Sequence, residues 1–371
     1  MAGIYVHIPF CKSRCIYCGF FSTTSIEKCR KYVDAVVAEL AARKDELKGE
    51  TIETLYFGGG TPSQLPPEEV ERILSTILYI YNVREGAEIT LEANPDDVSP
   101  ALLSAWRSMG INRLSMGVQT FSDQRLRFLN RRHTASQAMQ AVKAAQQMGF
   151  DNLSIDLMFG FPEQTLEEWK RDVQMALSLG VQHLSAYSLM YEEGTRLHQM
   201  LEQGDIAELD EELSVQMYDY LIQALTDAGY RHYELSNFAL PGRESRHNSS
   251  YWHGIPYLGV GAGAHSFDGQ QRCYHADSLD AYLKGEPLVV EHLTEAERYD
   301  EFVFTGLRTA EGIRLDLLEE KFGKVFKTYC LRNAQKQIRA GRLVLCDQVL
   351  RLSHSGLFVS NDVMSDLMWV E

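Results

Sequence analysis

The chain lacks several features that mark common functional classes. Its 371 residues contain no run of the roughly 20 apolar residues that a membrane-spanning helix needs. It has no excess of positive charge, because 36 Lys and Arg stand against 51 Asp and Glu. The resulting net charge of −15 argues against nucleic acid as the main partner. No secretory signal peptide is recognisable at the start, so we expect a reducing, cytoplasmic environment.

Cysteine is also scarce, with seven residues, yet three of them lie close together. Cys11, Cys15 and Cys18 have the spacing C-x3-C-x2-C, and no fourth thiol follows in register. Three thiolates can hold three irons of a [4Fe–4S] cube. The fourth iron is then open to a small-molecule ligand. The triplet therefore predicts a cluster that binds S-adenosylmethionine (SAM) and passes one electron to its sulfonium, which would release a 5′-deoxyadenosyl radical.

Two less specific interpretations of the three thiols stay open at this point. Structural zinc needs four ligands, usually as two cysteine pairs or as cysteine with histidine. The nearest later thiol is Cys29, and His7 could complete a zinc site although it lies in an apolar, strand-like run. The thiols could also be incidental.

Apolar runs typical of β-strands alternate with helical patterns through the first half of the chain. The strand-like runs cover 3–8, 52–57, 88–93, 113–118, 152–158 and 183–189. The clearest helical patterns cover 28–48, 67–81, 99–109, 135–148 and 165–179. Consecutive β-α units predict parallel strands with right-handed crossovers. We therefore predict an α/β fold with a partial (β/α)6 TIM-like barrel, open on one side, followed by a smaller domain.

Polar and glycine residues gather at the ends of these strands, and parallel barrels place their sites at the carboxyl ends. Gly58, Gly59 and Gly60 follow the second strand directly. Glycines there could form a backbone cradle for the amino group or ribose of SAM, and a plain tight turn is the alternative. Gln119 ends the fourth strand, and Arg131 lies in a segment typical of an exposed helix cap or loop. Each could contact adenosine or a carboxylate.

Two carboxylates, Glu92 and Asp156, lie inside otherwise apolar strands. A carboxylate in such a position is costly unless it is paired or hydrogen-bonded. Ribose hydroxyls or a ligand ammonium would be suitable partners. A structural ion pair with an arginine of the barrel is the alternative.

A second kind of motif lies downstream, in the segment 243–252. His247 is followed by Tyr251 and Trp252, and an imidazole nitrogen can ligate haem iron while aromatic rings stack on a porphyrin. Arg243 and Arg246 could pair with the propionates. From these residues alone, the favoured interpretation is a loop packed on the barrel mouth with His247 merely hydrogen-bonded.

The last eighty or so residues look like a separate module. Helices near 294–309, 314–322 and 325–341 precede a hairpin at 343–345 and 349–352, which predicts a small winged-helix-like α+β domain. Residues 321–351 carry eight Lys and Arg but one Asp. A solvated helix face explains this best, while an anionic membrane or a protein partner is a second interpretation and nucleic acid a third. We predict segments at 1–235, 236–290 and 291–371.

At this point the chain resembles a known family. It is similar to the radical-SAM proteins related to oxygen-independent coproporphyrinogen III oxidase, and most of all to the HemW-type haem chaperones. The resemblance covers nearly the whole chain and rests on motifs listed here in chain order: YVHIPFCKSRCIYC, FGGGTPS, LEANP, SMGVQTF, NRRH, SIDLMFGFP, YELSNFA, HNSSYW and GVGAGAHS.

The resemblance implies roles for individual residues. It implies that Cys11, Cys15 and Cys18 ligate the cluster, and that His247 is the candidate haem residue. The residues similar to those that hold the first SAM are Tyr5, Gly59, Gly60, Thr61 and Glu92. The residues at positions where the oxidases contact a second SAM are Tyr17, Gln119, Arg131 and Asp156. Whether a second SAM binds to this chain stays open.

Three departures from the oxidase pattern bear on function. Phe20 stands where the oxidases have a further cysteine, only four residues precede Tyr5, and the oxidases lack the HNSSYW stretch. The resemblance therefore implies a haem chaperone that binds a [4Fe–4S] cluster, SAM and haem and delivers haem to acceptor proteins. The alternative is an oxidase-type enzyme that decarboxylates coproporphyrinogen.

Overall fold

The chain is described from a computed structural model that covers residues 1–370, so the final residue of the predicted segment 291–371 lies outside the described residues. The six predicted strands are present, although the third begins at Val83 rather than at residue 88. They are β1 (Ala2–Ile8), β2 (Ile52–Gly59), β3 (Val83–Ala93), β4 (Arg113–Gln119), β5 (Leu153–Phe159) and β6 (His183–Ser188). Each strand pairs in parallel with the next, which confirms the predicted β/α series.

The α-helices between these strands are α1 (Cys29–Ala42), α2 (Pro67–Ile80), α3 (Pro100–Ser108), α4 (Asp123–Phe128), α5 (Ala135–Gln147) and α6 (Leu166–Ser178). All but α4 match a predicted helical pattern, although α1 ends at Ala42 rather than at residue 48. The short helix α4 is not among the predicted helices. Local sequence explains their ends. The Ser99 and Thr165 hydroxyls accept hydrogen bonds from backbone N–H groups in the first turns of α3 and α6, as N-cap side chains do.

The sheet continues beyond the six predicted strands. Two more helices, α7 (Arg196–Glu202) and α8 (Glu211–Asp227), lead into this part. The added elements are β7 (Arg231–Glu234), β8 (Asn237–Ala239), α9 (Arg246–Trp252), β9 (Tyr257–Val260), β10 (His265–Phe267), β11 (Gln271–Tyr274), α10 (Leu279–Leu283) and β12 (Val289–His292). The twelve strands form one sheet in the order β12-β11-β10-β9-β1-β2-β3-β4-β5-β6-β8-β7. The predicted boundaries at 235 and 290 stay a prediction.

The two faces of the central strands differ in polarity. Side chains that point outward pack against the helices and form the main apolar core: Ile4, Val6, Ile8, Leu55, Phe57, Ile89, Leu91, Leu114, Met116, Val118, Leu153, Ile155, Leu157, Leu184 and Ala186. Alternate residues point inward, and they are mostly polar: Tyr5, His7, Thr54, Tyr56, Glu88, Thr90, Glu92, Arg113, Ser115, Ser154, Asp156, His183 and Ser185. The barrel therefore encloses a polar interior, which suits a polar or charged ligand.

The C-terminal residues build a second, smaller core around Tyr299. Its elements are α11 (Glu295–Arg308), β13 (Ile313–Arg314), α12 (Leu315–Arg339), β14 (Leu343–Cys346), β15 (Val349–Leu352), α13 (His354–Leu357) and α14 (Ser360–Leu367). Gly323, with φ 81°, breaks α12 between the two helices that the sequence predicts there. The hairpin β14–β15 and the short β13 form an antiparallel three-stranded sheet, so the predicted small α+β domain is confirmed.

Across residues 1–370, no helix combines the length and the apolar character that crossing a bilayer requires.

Candidate functional site

The cysteine loop leaves the carboxyl end of β1 and returns beside it. The backbone N–H of Cys11 donates to the Thr23 carbonyl at 2.9 Å, and the Thr23 N–H donates to the Pro9 carbonyl at 2.7 Å. These two bonds close the loop at its base. Cys11, Cys15 and Cys18 are half-buried and free. Because the loop leaves the carboxyl end of β1, these thiols lie at the same end of the barrel as the carboxyl ends of the parallel strands.

The zinc interpretation lacks a converging set of ligands in the described residues, and the cluster stays a prediction. Across the described residues, no three His, Cys, Asp or Glu donors converge on one point as ligands of a single ion would. A cube instead takes one thiolate at each of three separate irons. His7 is not free to act as a fourth ligand, because its Nδ1 hydrogen-bonds with the Tyr5 hydroxyl at 3.0 Å and its Nε2 with the Phe21 carbonyl at 3.1 Å.

Neighbouring groups set the electrostatics of the thiols. The Thr61 hydroxyl lies 3.3 Å from the Cys11 sulfur, and the Arg131 guanidinium lies 3.5 Å from the Cys15 sulfur. Burial raises the pKa of Cys11 and of Cys18 above the ordinary thiol value. The Cys11 and Cys18 thiols of the metal-free protein are therefore protonated at neutral pH, and loading of iron must displace their protons.

Glycine at the end of β2 is required by packing against β1. Gly59 has φ 111°, and a Cβ there would lie 2.5 Å from the His7 ring. A Cβ on Gly60 would lie 2.7 Å from the Pro9 backbone. Close packing therefore accounts for both glycines, and their contact with SAM stays a prediction. This packing holds the end of β2, together with Thr61, directly beside the cysteine loop.

Glu92 and Asp156 face the polar interior without a cation partner. The Tyr56 hydroxyl donates to Glu92 Oε1 at 2.7 Å and the Gly59 N–H donates to Oε2 at 3.2 Å. Across residues 1–370 neither carboxylate takes part in an ion pair within 4.0 Å, so the structural ion pair considered above is absent. Burial raises the pKa of Glu92 to about 7, with nearby Asp156 adding to the effect. Burial also raises the pKa of Asp156 to about 6.

Arg131, Gln119 and Tyr17 meet next to the cysteines. Arg131 Nη2 donates to the Gly117 carbonyl at 2.5 Å and to Asn94 Oδ1 at 2.8 Å, which fixes the guanidinium at the carboxyl end of β4. Gln119 ends that strand with φ 68°, a left-handed conformation that is uncommon outside glycine. Burial raises the pKa of the Tyr17 hydroxyl, which lies near Arg131 and Cys15. The structure thus brings all the predicted cluster and SAM residues to one end of the barrel or its adjoining interior.

His247 lies at the opposite end. It is 1% exposed, and it hydrogen-bonds through Nδ1 with the Thr54 hydroxyl and through Nε2 with the Tyr251 hydroxyl, both at 2.8 Å. The Glu88 carboxylate accepts the backbone N–H of His247 at 3.0 Å. Thr54 and Glu88 belong to the amino-terminal halves of β2 and β3, so α9 closes the barrel at the end away from the cysteines. The expectation that this segment packs on the barrel mouth is therefore wrong.

The surroundings of His247 leave no free ring nitrogen for haem iron in this conformation. Burial lowers its pKa to about 3, and nearby Arg113 adds to the effect. The two arginines proposed for propionates already have carboxylate partners, since Arg243 pairs with Asp151 at 3.4 Å and Arg246 with Glu53 at 2.5 Å. The hydrogen-bonded His247 favoured from the residues alone is what the structure contains.

One interior residue that the motifs do not point to is Arg113. It is 1% exposed, and its Nε and Nη1 have no hydrogen-bond partner within the described part of the chain. Arg113 is close enough to Glu92 and Asp156 that its charge lowers the pKa of both carboxyls against the effect of burial. Its two unpaired nitrogens are free to donate to a further polar or anionic group. The signal was available in the sequence, because Arg113 occupies an inward position in the period-two alternation of β4.

Comparisons with known proteins agree with this architecture. The radical SAM superfamily profile matches residues 5–176, and the HemN C-terminal domain profile matches residues 293–359. The heme chaperone HemW of Lactococcus lactis is 33% identical over 368 residues, covering 98% of this chain and 96% of that protein. The heme chaperone HemW of Bacillus subtilis is 32% identical over 371 residues, covering 98% of each.

A mitochondrial relative and a solved structure are also similar to this chain. The mitochondrial radical S-adenosyl methionine domain-containing protein 1 of Bos taurus is 35% identical over 396 aligned positions, covering 99% of this chain and 87% of that protein. Among solved structures, the coproporphyrinogen III oxidase HemN of Escherichia coli superposes with a TM-score of 0.86, covering 99% of this chain and 90% of that one. At 23% identity, this structural match supports the fold alone.

Proposed function

We propose, from the premise that the chain belongs to the HemW heme chaperone family of the radical SAM superfamily, that it binds haem and delivers it to acceptor proteins. We further propose that it carries a [4Fe–4S] cluster and SAM. The observation that carries the cofactor part is the set of three free thiols at the carboxyl end of a barrel with a polar interior. The relatives named as heme chaperones support the haem part.

Cys11, Cys15 and Cys18 would hold the cluster, which when bound supplies one electron to the SAM sulfonium. The residues of this chain do the positioning. Thr61 and Arg131 lie within hydrogen-bond reach of two of the cysteine sulfurs, and both can donate to cluster or thiolate sulfur.

Glu92 and Asp156 would receive the polar groups of SAM. Both carboxylates are half-buried, face the interior and form no ion pair within residues 1–370, so a ligand ammonium or ribose hydroxyl would satisfy them. Tyr5, Gly59 and Gly60 would complete this first SAM site. Tyr17, Gln119 and Arg131 would contact a second SAM if one binds, as the corresponding positions of the oxidases do.

Haem titration of the anaerobically reconstituted protein tests the chaperone function. We expect a shifted Soret band that saturates at a fixed haem ratio, followed by transfer of the haem to an apo-haemoprotein in a difference spectrum. Bovine serum albumin at equal concentration controls for non-specific haem uptake. A Soret band that does not saturate, or haem that never leaves the chain, counts against delivery.

Oxidase-type chemistry is the second candidate, and it is favoured by Arg131, which lies 3.5 Å from the Cys15 sulfur and occupies a position where the oxidases contact a second SAM. Reconstituted protein would be incubated with reductant, SAM and coproporphyrinogen III. Formation of protoporphyrinogen together with 5′-deoxyadenosine would establish this activity. With an intact cluster and no product, the candidate is removed.

Haem delivery at a membrane surface is a further part of the proposal, supported by the basic residues of α12. Several of these are already engaged, since Lys327 pairs with Glu319 and Lys336 with Asp366, both at 2.8 Å. Co-sedimentation with vesicles that contain one third phosphatidylglycerol, compared with neutral vesicles, tests it. Equal sedimentation with both would remove the membrane from the account.

A further inference from the structure

We propose that His265, rather than His247, provides the imidazole that ligates haem iron in this chain. This inference rests on the proposed haem binding and assigns a residue and a place to it. His265 belongs to the GVGAGAHS motif, which the cluster and SAM sites leave unused.

His265 has a free imidazole. Of the eleven histidines in the sequence, nine have a ring nitrogen in a hydrogen bond or ion pair within the described residues. The other two, His265 and His292, are exposed and have neither nitrogen engaged across residues 1–370. An axial ligand must offer a free nitrogen to the metal, which His265 does and His247 does not.

His265 also lies at the same end of the sheet as the cysteine loop. β9 runs parallel to β1 and β10 runs antiparallel to β9, with Phe267 opposite Tyr257. His265 is the first residue of β10 and therefore lies toward the end of the sheet from which the cysteine loop leaves. The adjoining loop touches that region, because a Cβ on Gly263 would lie 3.5 Å from Phe21.

The orientation of His265 follows from its neighbours in β10. Ser266 faces outward, because its hydroxyl accepts a hydrogen bond at 2.8 Å from Arg43, the residue that directly follows the outer helix α1. Side chains alternate along a strand, so His265 and Phe267 face the inner side. The Phe267 ring lies 6.5 Å from the ring of Tyr257, which agrees with this assignment. His292, in contrast, is opposite Gln271 near the far end of the hairpin.

The surroundings suit a flat apolar ligand. The His265 ring stacks on Tyr274 with centroids 4.6 Å apart and an interplanar angle of 19°. Val289 is paired with Tyr274 in the next strand and is 43% exposed. The Tyr274 ring and the exposed Val289 beside a free imidazole suit a metalloporphyrin, since it has a large apolar face and a central metal.

The protonation state is also suitable. Burial lowers the pKa of His265 from its ordinary value of 6.5, and nearby Arg272 acts in the same direction. The imidazole is therefore neutral at pH 7, which is the form that binds a metal.

Hemin titration of three single variants tests the proposal on anaerobically reconstituted full-length protein. His265→Ala is expected to lose the low-spin Soret signature and to bind hemin about tenfold more weakly or worse, which corresponds to about 1.4 kcal/mol. Free imidazole added to this variant should restore the low-spin spectrum, which a merely structural residue would not allow. His292→Ala is the matched control, since it removes the other exposed and unpartnered histidine, and it should behave like the wild type.

The outcomes separate this inference from the function on which it rests. A wild-type protein that takes up no hemin overturns both. A wild-type protein that binds hemin while His265→Ala keeps the same spectrum and affinity overturns only the assignment to His265. Loss of the low-spin spectrum in His247→Ala, with a folded protein by circular dichroism and an unchanged His265→Ala, would return the ligand to the HNSSYW motif.

Discussion

At the scale of the residue, the buried carboxylates of the interior decide how the site responds to pH. Glu92 has a pKa of about 7 because burial disfavours its charged form, against an ordinary value of 4.5. The folded protein therefore holds a proton on Glu92 over a range in which the unfolded chain has lost it. By linkage, the contribution of this group to stability falls as pH rises from about 4.5 to about 7 and is then constant.

Glu92→Gln should reveal this contribution. The free energy of unfolding of the variant, relative to wild type, is expected to rise with pH between 5 and 8. Because one pKa unit corresponds to about 1.4 kcal/mol, the relative gain is on the order of 3 kcal/mol over the full range. Urea unfolding of SAM-free protein at several pH values measures it. A difference between the two proteins that does not change with pH contradicts the buried, protonated Glu92.

The affinity for SAM should rise with pH, whereas the contribution of Glu92 to stability falls with pH. The ionised Glu92 is the better partner for an ammonium or a hydroxyl donor, so SAM affinity is expected to rise as pH increases through about 7. Isothermal titration on cluster-loaded protein at pH 6 and pH 8 checks this, and Glu92→Gln should bind more weakly with a flatter profile. Equal affinities at both pH values in the wild type would remove Glu92 from the SAM site.

His247 is a stabilising residue in this account. His247→Ala removes its hydrogen bonds with Thr54 and Tyr251 and leaves a cavity, which should lower the free energy of unfolding by about 3 kcal/mol. His253→Ala, on the same segment but exposed, is the control and should cost well under 1 kcal/mol. Thermal unfolding compares them. A His247→Ala protein as stable as wild type contradicts the role of α9 as the closed end of the barrel.

At the scale of the element, the end of β2 depends on close approach. Gly59→Ala would set a Cβ against the His7 ring and strain a left-handed backbone, so a loss of about 3 kcal/mol and poor cluster loading are expected. Gly180→Ala shares a positive φ, of 62°, but meets no neighbour within 4 Å, and should cost about 1 kcal/mol. Similar losses in the two variants would show that the contact with His7 is unimportant.

The sequence predicts elements where a long periodic pattern exists and misses them elsewhere. Strands β1 to β6 are predictable because each has six or more residues, which is long enough for the apolar side chains of its outward face to form a visible pattern. Strands β7 to β12 have three or four residues each and lie among turns, so their pattern is too short to identify. The position of α9 could not be predicted from local sequence either, because Thr54, the hydrogen-bond partner of His247, is 193 residues away in the chain.

Individual site residues were predictable to the extent that they break a local pattern. Glu92 and Asp156 are charged positions inside apolar strands, and the three thiols have a specific spacing, so these were identified from the sequence. Arg113 starts its strand and was missed. The side of the barrel on which a motif lies depends on the register of distant strands, and for this reason the HNSSYW segment was assigned to the wrong end.

At the scale of the whole molecule, one arginine links the barrel to the C-terminal domain. Arg308, the last residue of α11, pairs with Glu234 of β7 at 2.7 Å and lies 4.7 Å above the Trp252 ring at the end of α9. Glu234 is buried, so removing its partner leaves an uncompensated charge.

Arg308→Leu is therefore expected to destabilise the protein by about 3 kcal/mol and to expose the domain junction to protease. Arg332→Leu is the control, because Arg332 lies over Tyr329 inside the C-terminal domain and has no hydrogen bond or ion pair with the barrel within residues 1–370. Limited trypsin digestion followed by mass spectrometry compares the cleavage sites. Identical digestion of Arg308→Leu and wild type contradicts the linking role.

The central claim is that Cys11, Cys15 and Cys18 hold a [4Fe–4S] cluster whose open iron faces SAM in the barrel. Iron and sulfide analysis of anaerobically prepared protein, combined with electron paramagnetic resonance of the reduced protein with and without SAM, tests it most directly. We expect about four irons and four sulfides per chain, a spectrum that changes when SAM is added, and loss of both in the triple alanine variant. Cys346→Ala, which removes an exposed cysteine outside the loop, should keep them. Iron that persists undiminished in the triple variant, or wild-type protein that holds none, would contradict the claim.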